Sequence, residues 1–218
     1  MDRLPFSDPD PDCDLCPRLA AFREDWRRRE SEWFNAPVPA FGNLDAQLLI
    51  VGLAPGLKGA NRTGRPFTGD YAGDLLYATL DKFGFAKGSY AKIRDDGLNL
   101  INCRISNAVR CVPPQNKPVG AEVTACRPFL INEIAAMPNL RCILTLGALS
   151  HGATLAALGE KKSAWKFGHA AFHLLDNGLV LANSYHCSRY NTNTGRLTEE
   201  MFEAVFTEIR SLLGDPAQ

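Results

Sequence analysis

Four cysteines in two widely separated pairs carry the first chemical signal in this chain: Cys13 and Cys16 near the start, Cys111 and Cys126 in the middle. Thiolates collected in this way bind a metal ion or a metal–sulfur cluster, and two cysteines separated by two residues commonly open such a ligand set. The acidic, proline-rich start has no hydrophobic signal region, so no secretion is expected, and seven cysteines are an odd number, which disfavours a disulfide framework. On residue types alone, structural zinc and an iron–sulfur cluster fit equally well. Either would pin the N-terminal segment to the middle of the domain. The second pair begins inside Asn107-Ala-Val-Arg-Cys-Val-Pro-Pro-Gln-Asn-Lys117, a stretch suited to an anionic ligand, so the metal site and the functional site are expected to be neighbours. Cys142 reads as a small core side chain, and Cys103 carries no signal.

Charge points the same way. The 24 basic and 24 acidic residues cancel, yet three stretches hold basic residues and no acid. Lys58–Arg65 contributes three, Arg104–Lys117 three and His186–Arg196 two, so these loops sum to +8 and the rest of the chain to −8. Such separation can give a neutral protein a basic face for phosphate groups.

The elements that must position these loops follow from apolar patterning. Gln47–Gly52, Ile105–Val109, Cys142–Leu146 and Leu179–Ser184 read as short buried strands. Helices are expected over 17–34, from Gly73 to Phe83, from Val119 to Met137 and from Ala148 to Leu158. A last helix starts behind Thr198, with Met201, Phe202, Val205, Phe206, Ile209 and Leu212 on one face. Alternating strands and helices imply an α/β fold, a three-layer αβα sandwich on a mainly parallel four-stranded sheet. The expected organisation is one domain over residues 1–218, with residues 1–12 flexible. All three basic loops leave the carboxyl ends of strands, where open parallel sheets bind ligands. The longest apolar runs are too short to cross a bilayer, and the expected location is the cytoplasm.

The first loop, Gly52-Leu-Ala-Pro-Gly-Leu-Lys-Gly-Ala-Asn-Arg-Thr-Gly-Arg-Pro-Phe-Thr-Gly-Asp70, is glycine-rich but has neither Walker nor dinucleotide spacing, which argues against nucleotide hydrolysis. The last loop reads Ser184-Tyr-His-Cys-Ser-Arg-Tyr-Asn-Thr-Asn-Thr-Gly-Arg-Leu197. Together with Cys13-x2-Cys16-Pro-Arg-Leu and Asn107-Ala-Val-Arg-Cys-Val-Pro-Pro, these segments resemble the uracil-DNA glycosylase superfamily, and within it the iron–sulfur-containing B-type enzymes of family 5. The resemblance runs from Cys13 to about Leu213.

That resemblance implies a [4Fe-4S] cluster on Cys13, Cys16, Cys111 and Cys126, tying down the N-terminal segment. It implies a monofunctional glycosylase that hydrolyses the N-glycosidic bond of flipped-out uracil, and of hypoxanthine or xanthine, leaving an abasic site. Phe67 would stack on the base, Asn107 would read its edge, and His186 would face the oxygen on which charge develops. Gly52 and Ala54 complete the base-binding set. Where other families carry an acid in the first loop, this chain has Leu53 and Ala54, so Asp70 is the expected carboxylate for the attacking water or the cationic sugar. Lys58, Arg62, Arg65, Arg189 and Arg196 are the expected DNA contacts. Two departures stand out: Cys187 replaces the family's proline, and Lys58 occupies the place of a histidine. Cys187 is expected to loosen its loop or to expose a redox-sensitive thiol at the DNA surface. The protein is expected to act as a monomer. A non-catalytic iron–sulfur or zinc module that senses damaged bases is the alternative.

Overall fold

The computed structural model describes residues 6–214. In chain order the elements are α1 (Pro17–Arg29), β1 (Leu48–Gly52), α2 (Ala60–Thr63), α3 (Tyr71–Lys82), β2 (Ala86–Lys87), β3 (Asn99–Leu100) and β4 (Cys103–Asn107). They continue with α4 (Gly120–Ala136), β5 (Cys142–Leu146), α5 (Ala148–Leu158), β6 (Phe172–Leu174), β7 (Val180–Ser184), α6 (Arg189–Asn193) and α7 (Glu199–Leu213).

The main sheet has the order β4-β1-β5-β7-β6. Its first four strands are parallel and β6 pairs antiparallel with β7, so the sheet has five strands where four were expected. The fifth is a three-residue edge strand, too short to show a period in sequence. Every residue of β1, β4 and β5 is buried, as parallel strands covered on both faces require. Leu48 and Ile50 join the core with α3 and α7 on one face, while Leu49 and Val51 pack with residues of α4 and α5 on the other. These are three layers. Register then sets the site: Gly52 lies beside Asn107, and Leu146 beside Ser184, so the carboxyl ends of four strands come level at one edge.

Two boundaries differ from expectation for identifiable reasons. The first helix stops at Arg29, short of residue 34. Buried Asn35, in the left-handed region at φ 43°, donates from Nδ2 to the carbonyls of Trp26 (3.3 Å) and Glu30 (2.7 Å) and so ends it. Trp33 then folds back to stack on Trp26, with ring centroids 5.4 Å apart. The strand expected at Ile105–Val109 is β4, two residues earlier, because Arg104 hides its start. That side chain is buried in the sheet, its Nε 2.6 Å from Glu133.

Of the stretch expected to be flexible, residues 1–5 lie outside the described residues. Residues beyond them are tied down. Asp8 bonds buried Arg110 at 2.8 Å, and Asp12 bonds Arg27 at 2.7 Å. Among the described residues, no helix is long and apolar enough to cross a membrane.

Candidate active site

The site begins with a close approach that only glycine permits. A Cβ on Gly52 would lie 2.3 Å from Asn107 Oδ1 and 2.7 Å from Phe67 Cζ. The missing side chain lets the carboxamide and the ring settle on the end of β1. Asn107 is buried, and its Oδ1 has no hydrogen-bond partner among the described residues. A buried acceptor left unsatisfied costs about 1–3 kcal/mol, so it marks a place prepared for a donor.

Phe67 is held in a conformation it would not choose, at φ 51°. The chain around it is over-determined. Tyr77 Oη donates to the Pro66 carbonyl (2.7 Å) and Tyr90 Oη to the Phe67 carbonyl (3.3 Å). At Gly73 a Cβ would sit 1.8 Å from that same carbonyl, so only glycine lets the first turn of α3 close over it. Local strain of this kind persists where the surroundings enforce it, which is characteristic of functional loops.

His186 follows β7, its ring centroid 6.0 Å from that of Phe67. Burial lowers its pKa, and the Asp70 carboxylate opposes that shift without cancelling it, so the imidazole is neutral at neutral pH. Asn191 Nδ2 donates to its carbonyl at 2.8 Å. Asp70 caps α3, one carboxylate oxygen accepting from the Gly73 amide at 3.3 Å. Its other oxygen faces Gly59 and Gly56, where a Cβ would come within 2.4 and 2.9 Å. The glycine-rich loop thus folds around a carboxylate. Leu53, Ala54, Phe67, Asp70, Asn107 and His186 all line one cavity of about 620 Å³.

Cys187 does not behave as expected. It is fully buried, its thiol donates to the Ala72 carbonyl at 3.4 Å, and burial pushes its pKa up to about 12. A protonated, enclosed thiol docks the His186 loop against α3; it is neither a loosening element nor an exposed redox group.

The basic residues divide into two sets. Lys58, Arg62, Arg189 and Arg196 are exposed, and the guanidinium groups of the last two lie 5.3 and 4.7 Å from the rings of Tyr71 and Tyr185. Arg65 is not a surface contact. It is 3 % exposed, its Nη1 and Nη2 lie 2.7 and 2.8 Å from the two oxygens of Asp96, and its Nε donates to Thr68 at 2.8 Å. Arg104 and Arg110 are buried against Glu133 in the same manner, so three of the eight basic charges in the acid-free loops point inward.

The four cysteines Cys13, Cys16, Cys111 and Cys126 line a separate cavity between α1 and α4. They ring it without converging: among the described residues, no three of His, Cys, Asp and Glu group tightly enough for one ion. A zinc ion would draw four sulfurs to about 3.8 Å from one another, whereas an iron–sulfur cluster is a larger body. Four thiolates are the donor set of both, and the cavity lined by Cys13, Cys16, Cys111 and Cys126 offers them to one bound group. Burial pushes the thiols of Cys16 and Cys111 up to about 11 and about 12 and raises that of Cys126. Thiolates there need a bound cation. The Arg110 amide already donates to Cys126 Sγ at 3.3 Å.

Several lining residues sit inside the motif loops without a role legible in the sequence. Gly56, Gly69 and Ser188 reach the cavity by chain geometry, and Ser188 also caps α6. Tyr190 is 73 % exposed on α6, one residue from Arg189. An α6 of five residues has too little apolar pattern to be read in advance.

The family model of the uracil DNA glycosylase superfamily matches residues 39–210. A type-5 uracil-DNA glycosylase of Thermus thermophilus is 44 % identical over 98 % of this chain and 100 % of its own length. One from Mycobacterium bovis is 39 % identical over 93 % of this chain and 78 % of its own. A type-4 uracil-DNA glycosylase of Pyrobaculum aerophilum is 35 % identical over 68 % of this chain and 62 % of its own.

Proposed function

The chain belongs to the uracil-DNA glycosylase superfamily, in its type-5 branch, and from that premise we propose that it excises uracil from DNA by hydrolysing the bond between the base N1 and the sugar C1′. The observation that carries this reading is the unsatisfied Oδ1 of Asn107, buried over Gly52 beside Phe67. Uracil presents a donor at N3 and an acceptor at O4, and a carboxamide supplies the matching acceptor and donor.

A flipped base enters the cavity and stacks on Phe67 while Asn107 reads its edge. As the glycosidic bond breaks, its electron pair passes to the base and charge develops on O2. Neutral His186 donates an N–H to that oxygen, an electrostatic contribution of about 10²–10³ in rate. The sugar becomes cationic at C1′. Asp70, held in place by the Gly73 amide, stabilises that charge and orients the water, whose hydroxyl bonds to C1′ and whose proton ends on the departing base. Exposed Lys58, Arg62, Arg189 and Arg196 receive the backbone phosphates.

Cavity size supports a wider substrate range, including hypoxanthine and xanthine. At about 620 Å³, with Ala54, Gly56 and Gly69 on its wall, it has no bulky side chain at those positions to exclude a purine. The ring of Cys13, Cys16, Cys111 and Cys126 supports a [4Fe-4S] cluster that braces the fold and takes no part in the hydrolysis.

Single-turnover cleavage of oligonucleotides bearing uracil, hypoxanthine or xanthine, with alkali to reveal abasic sites, tests the reaction. The wild type should act on uracil, and Asn107→Ala should lose about 10²-fold or more. An Asn107→Ala variant with full rate on every base would overturn the assignment of the base reader. Iron and sulfide analysis of anaerobically purified protein tests the cluster; zinc without either would refute it.

A further inference from the structure

Among the described residues the buried arginines pair with carboxylates, with one departure. Arg65, Arg104 and Arg110 each have a carboxylate oxygen within 2.8 Å: Asp96 at 2.7 Å, Glu133 at 2.6 Å and Glu133 again at 2.6 Å. Arg23, on α1, is equally enclosed at 3 % exposure. Its nearest carboxylate is Glu24, half exposed at 3.9 Å, and its Nε is buried without a partner among the described residues. What Arg23 does touch is the cysteine ring. Nη1 donates to the Cys13 carbonyl at 3.0 Å and lies 3.7 Å from Cys111 Sγ. A permanently charged guanidinium held away from water needs a compensating anion, and the carboxylates near it, half-exposed Glu24 at 3.9 Å and exposed Asp12, do not hydrogen-bond to it.

We propose that Arg23 is the counter-cation of the cysteine-bound cluster, hydrogen-bonded to the Cys111 sulfur and fastening the Cys13 and Cys111 arms of the ring to α1. The inference rests on the cluster reading and extends it to a residue outside the ligand set. Four thiolates around a [4Fe-4S]2+ core carry a net charge of about −2, from four ligands of −1 and a core of +2. One-electron reduction at an electrode makes that −3. A buried cation at the sulfur stabilises the more negative state, so its removal lowers the midpoint potential.

The test compares full-length wild type, Arg23→Lys and Arg23→Met, each reconstituted anaerobically with iron and sulfide. Readouts are iron and sulfide content, iron release to a chelator, and the midpoint potential by protein-film voltammetry. Arg23→Met should reduce the equilibrium constant for cluster reduction about tenfold, a fall of about 59 mV for one electron, and release iron faster. Arg23→Lys should show a smaller shift in the same direction. Equal potentials in all three loaded proteins would overturn the proposal. If Arg23→Met takes up no cluster, the Lys variant carries the voltammetry, and thermal unfolding of the metal-free proteins provides an independent measurement. Without the cluster Arg23 is a buried cation with only solvent-exposed carboxylates to offset it, so metal-free Arg23→Met should be at least as stable as metal-free wild type. A metal-free variant clearly less stable would mean a packing role and would also overturn it. Wild type that binds neither iron nor sulfide would sink the cluster reading itself, an outcome distinct from loaded variants with unchanged potentials.

Discussion

Replacing Asp96 by asparagine tests whether Arg65 braces the site or binds DNA. The change keeps the shape of the side chain and removes its charge. Arg65 then stays buried, at 3 % exposure, without a counter-ion, beneath the rings of Phe41, Tyr77 and Tyr90 at 5.1–5.7 Å. Breaking one side of a buried pair costs about 3–5 kcal/mol. In a domain of this size each kcal/mol moves the midpoint by about 2–4 °C, so unfolding should begin about 10 °C lower. Arg65→Met should also destabilise, since it leaves Asp96 uncompensated. The pH dependence carries a definite sign. Burial raises the Asp96 pKa, but hydrogen bonds from Arg65 and the Ala91 and Leu98 amides outweigh it and hold it at about 2, against 3.8 ordinarily. A depressed carboxylate contributes stability that is complete above its unfolded pKa and lost as pH falls from about 4 through about 2. Asp96→Asn should therefore flatten stability against pH in that window. The assays are thermal unfolding at several pH values and DNA affinity against salt. If Arg65→Met left the midpoint unchanged but reduced the salt slope by about one, the buried brace would be refuted and a phosphate contact restored.

Gly52→Ala should fold and yet lose about 10²-fold in single-turnover rate, because its methyl group displaces both Asn107 Oδ1 and the Phe67 ring; an unimpaired rate would show that neither needs its present position. Activity should hold as pH falls to 6.5, the ordinary histidine value, since burial keeps His186 neutral below it; a rate that climbs with acidity through that range would mean the imidazolium is the active form. Tyr190→Ala should cut excision from duplex DNA about tenfold and spare single strands, as expected if this exposed ring props open the stack; equal losses on both would rule that out.

Much of this is legible in residue order alone. Apolar runs such as Leu48–Gly52 and Cys142–Leu146 announce buried parallel strands, because only a sheet covered on both faces tolerates them. The Thr198 cap and the stripe from Phe202 to Ile209 announce α7. The motif loops, and through them the family, are a matter of residue order alone. Whether a basic loop faces water or the interior is another kind of question. Arg62, on α2, and Arg65, just past its end, are three residues apart, yet Arg62 is exposed and Arg65 is enclosed by an aspartate from residue 96 and three aromatic rings. Cys187, expected at the surface of its loop, is likewise fully buried. A charge is buried only if a partner from elsewhere in the chain arrives to neutralise it, and a strained Phe67 persists only if Tyr77, Tyr90 and Gly73 close around it. Those partners are long-range. The sequence determines which chemistry is on hand, through local pattern and composition, while burial, pairing and strain are decided by contacts that exist only once the chain has folded.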